Sequence, residues 1–205
     1  MTPTHGNACA SPIVTLLMEP LIPIFIVAAI LLIPLIWLIA SYNRMARLRQ
    51  HIKESWADID VELKRRYELV PNLVETVKGY AKHERETLER VIELRNRAAE
   101  NHGSAASQAT DESALMLGVK KLFALAEAYP QLRADVNFLA LQKELANTED
   151  RIAAARRFFN ANVREMNQLC QTFPTNLIAS SFGFSAGDFF QLDSAAERVV
   201  PRIEL

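Results

Sequence analysis

Residues 56–84 read WADIDVELKRRYELVPNLVETVKGYAKHE. The stretch is dense in charge, yet Trp56, Ile59, Leu63, Tyr67, Val70, Leu73, Val77 and Tyr80 return an apolar side chain every three or four positions. That spacing puts them on one face of an amphipathic helix. Pro71 interrupts the pattern, because proline has no backbone N–H to give a helix interior. The residues leave two readings, one kinked helix or two helices meeting at a corner. Pro71 fits best at the first or second position of a new helix, where the missing N–H is harmless.

Upstream, Leu21–Ala40 is LIPIFIVAAILLIPLIWLIA, with no charged residue. At about 1.5 Å per residue, such a helix spans about 30 Å, the thickness of a bilayer's hydrocarbon core. A transmembrane helix over 21–41 is therefore expected, and a buried core helix is the weaker alternative. A cleaved signal peptide fits poorly, since no Lys or Arg precedes the apolar run and no A-x-A site follows it. Arg44, Arg47, Arg49 and Lys53 follow closely, so the positive-inside rule places the N-terminus outside and the rest of the chain in the cytoplasm, at the inner membrane. Residues 1–20 read as a short leader. Met18 is an alternative start, which recovery of an N-terminal peptide beginning at Thr2 or Pro3 would exclude.

Downstream, Tyr42 to about Leu69 reads as the first helix after the span, with Asp60–Lys64 and Glu62–Arg66 as ion pairs at four-residue spacing. A second helix is expected from about Asn72 to Glu100, weakened at Gly79. NHGSAASQATD, residues 101–111, lacks periodicity and reads as a loop. A third helix is expected over about 112–129, capped by Thr110 or Asp111 and stopped by Pro130. Phe138, Leu141, Leu145, Thr148, Ile152, Ala155, Phe159, Val163, Met166, Leu169 and Phe173 then mark a fourth helix of about 35 residues, capped by Asn137 and closed by Pro174. The remainder, 175–205, mixes glycine with aromatics and reads as a strap whose Phe182, Phe184, Phe189 and Phe190 dock on the helices. No alternating β-branched run suggests a sheet. The expected organisation is all-α: a transmembrane helix (21–41), four helices over 42–174, and the strap.

The chemistry-bearing residues are sparse. His83-Glu84 resembles the start of an H-E-x-x-H zinc motif, but Thr87 stands where the second histidine belongs, so a solvated histidine is the better reading. A di-iron bundle needs Glu-x-x-His on two helices, and none occurs; Glu144 and Glu149 are expected on a solvated flank. There is no nucleophile elbow and no phosphate loop. Cys9 and Cys170 would lie on opposite sides of the membrane and form no disulfide framework. Acidic and basic residues balance beyond residue 40, and no basic patch points to nucleic acid. No catalytic residue, cofactor or metal is expected. Lys64-Arg65-Arg66 reads as a solvated face, with acidic partners or lipid headgroups as the functional alternative. Trp56 reads as core, with partner binding as its alternative.

The sequence resembles the LemA family of bacterial membrane proteins. The resemblance is carried by YNRMARLR at 42–49, by W-x-x-I-D-V-x-L-K-R-R-Y-x-L-V-P-N-L-V-E-T-V-K-G-Y-A-x-H-E at 56–84 and by EAYP-x-L-x-A at 127–134. NF-x-x-LQ-x-EL-x-x-TE-x-RI at 137–152, FP-x-NL-x-A at 173–179 and FGF at 182–184 continue it. Asp150, Phe159 and Met166 depart from the family pattern, which has asparagine at the first position and tyrosine at the other two. The resemblance implies a membrane anchor followed by an antiparallel up-and-down four-helix bundle, and it favours the corner at Pro71. It brings no catalytic residue. It implies no activity, only a link to membrane or envelope organisation. With the anchor and the lack of a catalytic constellation, the expected function is a non-enzymatic scaffold or adaptor in membrane or envelope organisation or stress response; the alternative is an accessory or regulatory subunit of a membrane-bound enzyme such as a protease. The partners implied are the bilayer, through residues 21–40, and proteins or further copies of the chain. The residues singled out for a structural or partner-binding role are Trp56, Lys64, Arg65, Arg66, Pro71, Asn72, His83 and Glu84.

Overall fold

From Leu21 onward no charged side chain demands water until Arg44. In the computed structural model, which describes residues 21–192, this sequence opens helix α1, Leu21–Tyr80. Helices α2 (Arg85–Glu100), α3 (Ala105–Glu127), α4 (Pro130–Arg133), α5 (Val136–Gln171) and α6 (Thr175–Ser181) follow, with no strand among the described residues. The expected leader and residues 193–205 of the expected strap lie outside the described residues. The chain divides into two compact units between Arg44 and Met45.

In the first unit, Phe25, Ile30, Leu31, Ile33 and Ile36 are all well exposed. This stretch of α1 is long and apolar enough to cross a membrane. Its exposure is incompatible with the alternative of a buried core helix.

In the second unit, α1 and α5 run antiparallel. Met45 and Met166 share a cluster at one end, and Tyr80 Oη donates to Asp135 Oδ2 at 2.8 Å at the other. Helices α2 and α3 are too short to cover this pair along its length. They form a hairpin over the half distant from Met45, and their junction is marked by Tyr67, whose hydroxyl meets Ala98 O and Gln108 Nε2. One apolar core joins Ile59, Leu63, Val70, Leu73 and Val77 of α1 to Val91 of α2, Leu115 and Leu122 of α3, and Phe138, Leu145 and Ile152 of α5. The hairpin is tight. A Cβ on Gly118 would lie 3.1 Å from Leu94 Cδ1 and 3.3 Å from Val91 Cγ2, so glycine permits that approach.

The other half of α1 and α5 is covered by α6 and residues 182–192. Ile178, Ala179 and Phe184 pack with Met45 and Leu48. Phe190 is fully buried, its ring 5.7 Å from that of Trp56, which also meets Phe159 at 5.3 Å. Phe182 stays half exposed. Two asparagines on α5 hold the extended segment through its backbone. Asn167 Nδ2 donates to Gly187 O and its Oδ1 accepts from Gly187 N; Asn160 does the same with Phe190 O and N. Seven helical residues rise about 10.5 Å, and three extended residues span about 10 Å, so the two clamps fall in register.

Three boundary expectations are corrected. The chain does not turn at Pro71: α1 passes through it to Tyr80, and the turn lies at 81–84. Proline inside a helix frees the carbonyl four residues earlier, here that of Tyr67. Arg95 Nε of α2 donates to this oxygen at 2.9 Å. The tertiary partner replaces the missing bond, and local propensity loses. Second, the loop expected at 101–111 is confined to 101–104. Helix α3 begins at Ala105 under a Ser104 cap that accepts from Ser107 N, rather than under Thr110 or Asp111. Third, Asp135 caps α5 in place of Asn137, accepting from Phe138 N at 2.9 Å.

The pairing of Arg95 with the Pro71 gap gives a double-mutant cycle. Arg95→Ala is expected to cost about 1–3 kcal/mol by orphaning a part-buried carbonyl. In a Pro71→Ala background, where residue 71 regains its N–H, the same change should cost markedly less. Equal costs in urea unfolding of the two backgrounds would contradict the coupling.

Candidate functional site

Ile59, Leu63, Arg66, Val70, Leu73 and Val77 alternate in steps of four and three, and all are buried. Arg66 thus occupies a core position of a heptad-like stripe and carries a guanidinium into the domain. On α3 the same rhythm runs Gln108, Glu112, Leu115, Val119, Leu122 and Ala126, all buried as well, and it delivers a carboxylate to meet the cation. Arg66 Nη2 donates to Glu112 Oε2 at 2.5 Å, and Nη1 donates to Glu149 Oε1 of α5 at 2.7 Å. Met116 Sδ lies 2.9 Å from Nη1. Glu112 Oε1 accepts from Gln108 Nε2 at 2.8 Å and from the hydroxyl of Tyr67. Gln108 also donates to Ala98 O at 2.9 Å. Four helices therefore meet at one charge cluster.

The electrostatics follow from burial and proximity. Burial opposes the Arg66 charge, but the carboxylates of Glu149 and Glu112 outweigh it and hold the guanidinium above its ordinary pKa. The Tyr67 phenol is pushed well up, by burial first and then by the Glu112 carboxylate. For both groups the folded state favours the protonated form. Stability from this source is complete below pH 10.0, the ordinary tyrosine value, and is lost as pH rises above it. Alkaline denaturation followed by circular dichroism should therefore steepen above about pH 10, with Tyr67 ionising together with unfolding. In Tyr67→Phe the steepening should shrink; an unchanged alkaline limb would contradict the assignment.

The cluster redistributes the residues singled out in the sequence. Of Lys64-Arg65-Arg66, the expected solvated face, Lys64 and Arg65 are exposed, and Lys64 pairs with Asp60 at 2.6 Å. Arg65 reaches Glu144 at 2.8 Å, and Arg66 is wholly buried. The expected Glu62–Arg66 pair does not form. Arg66 turns inward, and Glu62 Oε2 lies instead 3.2 Å from Arg151 Nε, without the alignment of a hydrogen bond. Glu149 is not on a solvated flank: its side chain is 14% exposed and bound to Arg66. Trp56 is half buried against Phe159 and Phe190, and Asn72 is exposed. His83 is exposed in the 81–84 turn, where Glu84 precedes α2 without a side-chain capping bond. These residues are spread along α1 and the turn that follows it and do not converge. Glu112, Glu149, Gln108 and Tyr67, which complete the cluster, were not singled out.

Chemically, the cluster is sealed. Arg66 and Glu112 are 0% exposed, whereas a general acid or base has to come within hydrogen-bonding reach of a substrate. Among the described residues no group of three or more His, Cys, Asp or Glu side chains is placed to hold a metal ion. Two open grooves flank Trp56. One of about 530 Å³ runs past Lys53, Asp60, Tyr67 and His102, and one of about 470 Å³ runs past Arg49, Phe159, Met166 and Gly187. Their walls are ordinary helix and loop surface, without a convergent set of reactive groups.

The LemA family profile matches residues 55–205. The chain is 27% identical to Protein LemA of Metamycoplasma hominis over 77% of its own length and 71% of that protein. It is 23% identical to Magnetosome protein MamQ of Magnetospirillum gryphiswaldense, over 81% of its length and 71% of that protein. It is also 23% identical to Magnetosome protein MamQ 2 of Paramagnetospirillum magneticum, over 78% and 68% respectively.

Proposed function

The chain belongs to the LemA family, and from that premise we propose that it is a non-enzymatic scaffold or adaptor at a membrane. Residues 21–40 anchor it, and the helical domain presents surfaces to protein partners or to further copies of the chain. The observation that carries this reading is the sealed cluster. The groups with the most perturbed chemistry, Arg66, Tyr67 and Glu112, are spent on one another and hold α1, α3 and α5 together. Perturbed ionisation often marks an active site, but structural ion networks produce it too, and the zero exposure of Arg66 and Glu112 favours the second case. Similarity to proteins named for the magnetosome agrees with a role at a membrane.

Photocrosslinking of the intact protein in cells, from exposed positions such as Asn72 and His83, tests the proposal. A scaffold gives discrete adducts with protein partners or with itself. Absence of adducts from every exposed position would overturn the reading. Recovery of a membrane protease as the main adduct would instead favour the accessory-subunit role. The orientation proposed, N-terminus outside and domain in the cytoplasm, rests on the arginines that follow the span. Cleavage of the C-terminus by protease added to intact cells would reverse it.

A further inference from the structure

Past residue 19, two long stretches of this chain carry no Asp, Glu, Lys or Arg: 20–43, which contains the anchor, and 166–187. The second stretch is only partly core: Met166, Ile178, Ala179 and Phe184 are buried, and other large apolar side chains are not. It folds as the last turns of α5, then α6, then the start of the extended strap. Ile178 and Ala179 face inward on Met45 and Leu48. Phe173, Leu177 and Phe182 face outward, at 75%, 57% and 50% exposure. Three large apolar side chains within ten residues, in a stretch without a formal charge, are costly in water.

Their place in the chain says what solvent they meet. Met45, against which Ile178 packs, follows Ala40 by five residues, and five residues span at most about 18 Å even when extended. Connectivity alone therefore keeps this end of the domain beside the bilayer surface that residues 21–40 enter. The intervening residues include Arg44, and Arg47 and Arg49 follow at once; Arg49 lies over the Phe184 ring at 4.9 Å. Apolar side chains flanked by arginines match the region where acyl chains give way to anionic headgroups. The far end of the domain has the opposite character: residues 82–90, KHERETLER, border the turn that ends α1.

We propose that the Met45 end of the domain, through Phe173, Leu177 and Phe182, lies in the headgroup–acyl boundary of the bilayer as a second membrane contact. This contact fixes the domain's attitude on the membrane and turns the charged 82–90 end away from it. The inference rests on the anchored reading above.

The test uses the full chain in phosphatidylcholine–phosphatidylglycerol vesicles, with Cys9→Ser and Cys170→Ser removing the native thiols. An environment-sensitive NBD probe is attached in turn through Phe173→Cys, Leu177→Cys, Val136→Cys and Ile30→Cys. Val136 is a matched control, 78% exposed at the opposite end of α5. Position 30 reports on the anchor and is read with lipids carrying the doxyl group deep in the acyl chain. The expected result is blue-shifted emission at 173 and 177, quenched by lipids carrying a doxyl group near the headgroup, with neither effect at 136. Water-like, unquenched emission at 173 and 177 with quenching at 30 overturns this inference and leaves the anchor standing. Absence of quenching at 30 overturns the anchored reading itself. A blue shift at 173 without doxyl quenching means a protein covers the patch, and it also overturns the inference.

Discussion

Replacing Arg66 with alanine is expected to lower the unfolding free energy by about 3–5 kcal/mol, the cost of leaving a buried charge without its partner. The loss does not come from the missing attraction alone. Glu112 would remain at 0% exposure, bound by Gln108 and Tyr67 but facing no cation. Glu149→Ala should cost less, because its side chain already reaches solvent and Arg66 keeps Glu112. Removing both fully buried charges in Arg66→Met/Glu112→Met should recover most of the Arg66→Ala loss, since apolar packing replaces a desolvated pair at little net cost. Tyr67 and Gln108 would still have Ala98 O as a partner. Urea unfolding of the three variants checks the order. A loss below about 1 kcal/mol for Arg66→Ala would mean that the site relaxes to admit water, because exposed pairs are worth no more than that.

The second large effect lies at the strap. Phe190→Ala should cost about 3–5 kcal/mol, as expected for emptying the site of a fully buried phenylalanine. It should also uncover Trp56, whose ring packs on Phe190. In a Trp37→Phe background Trp56 is the sole tryptophan, so its emission should move to the red. Asn160→Ala should cost about 1–3 kcal/mol: it removes two hydrogen bonds to the Phe190 backbone and leaves the ring in place. If the two variants cost the same and both shift Trp56, the clamp rather than the ring positions the strap.

Much of the architecture is legible in the sequence because apolar periodicity is strong there. The anchor, the long α5 and the all-helical class follow from runs of Leu, Ile, Phe and Val at regular spacing. Most of what stays hidden has one physical cause: in this domain a polar residue does not always mark solvent. Arg66 keeps the four–three rhythm of Ile59, Leu63, Val70, Leu73 and Val77, but its charge makes it look like surface. Tyr67 takes its place when only apolar residues are counted. Gln108 and Asp111 make a helix start read as a loop, although Gln108 and Glu112 continue the stripe of Leu115, Val119 and Leu122. A stripe followed by position rather than by hydrophobicity finds both halves of the buried pair. Pro71 failed differently. Its local rule is sound, and the compensating donor, Arg95, is 24 residues away in sequence and reachable only through the folded hairpin.

On the proposed function, the charge cluster fastens the domain and the chain acts through the surfaces held at a membrane. The most direct measurement compares in-cell crosslinking of the wild type with that of Arg66→Met/Glu112→Met, the thermal midpoint of each being recorded. The double variant is expected to stay folded and to give the same set of adducts. A variant that keeps its fold and loses those adducts would contradict the proposal, because the buried charges would then act in the function itself.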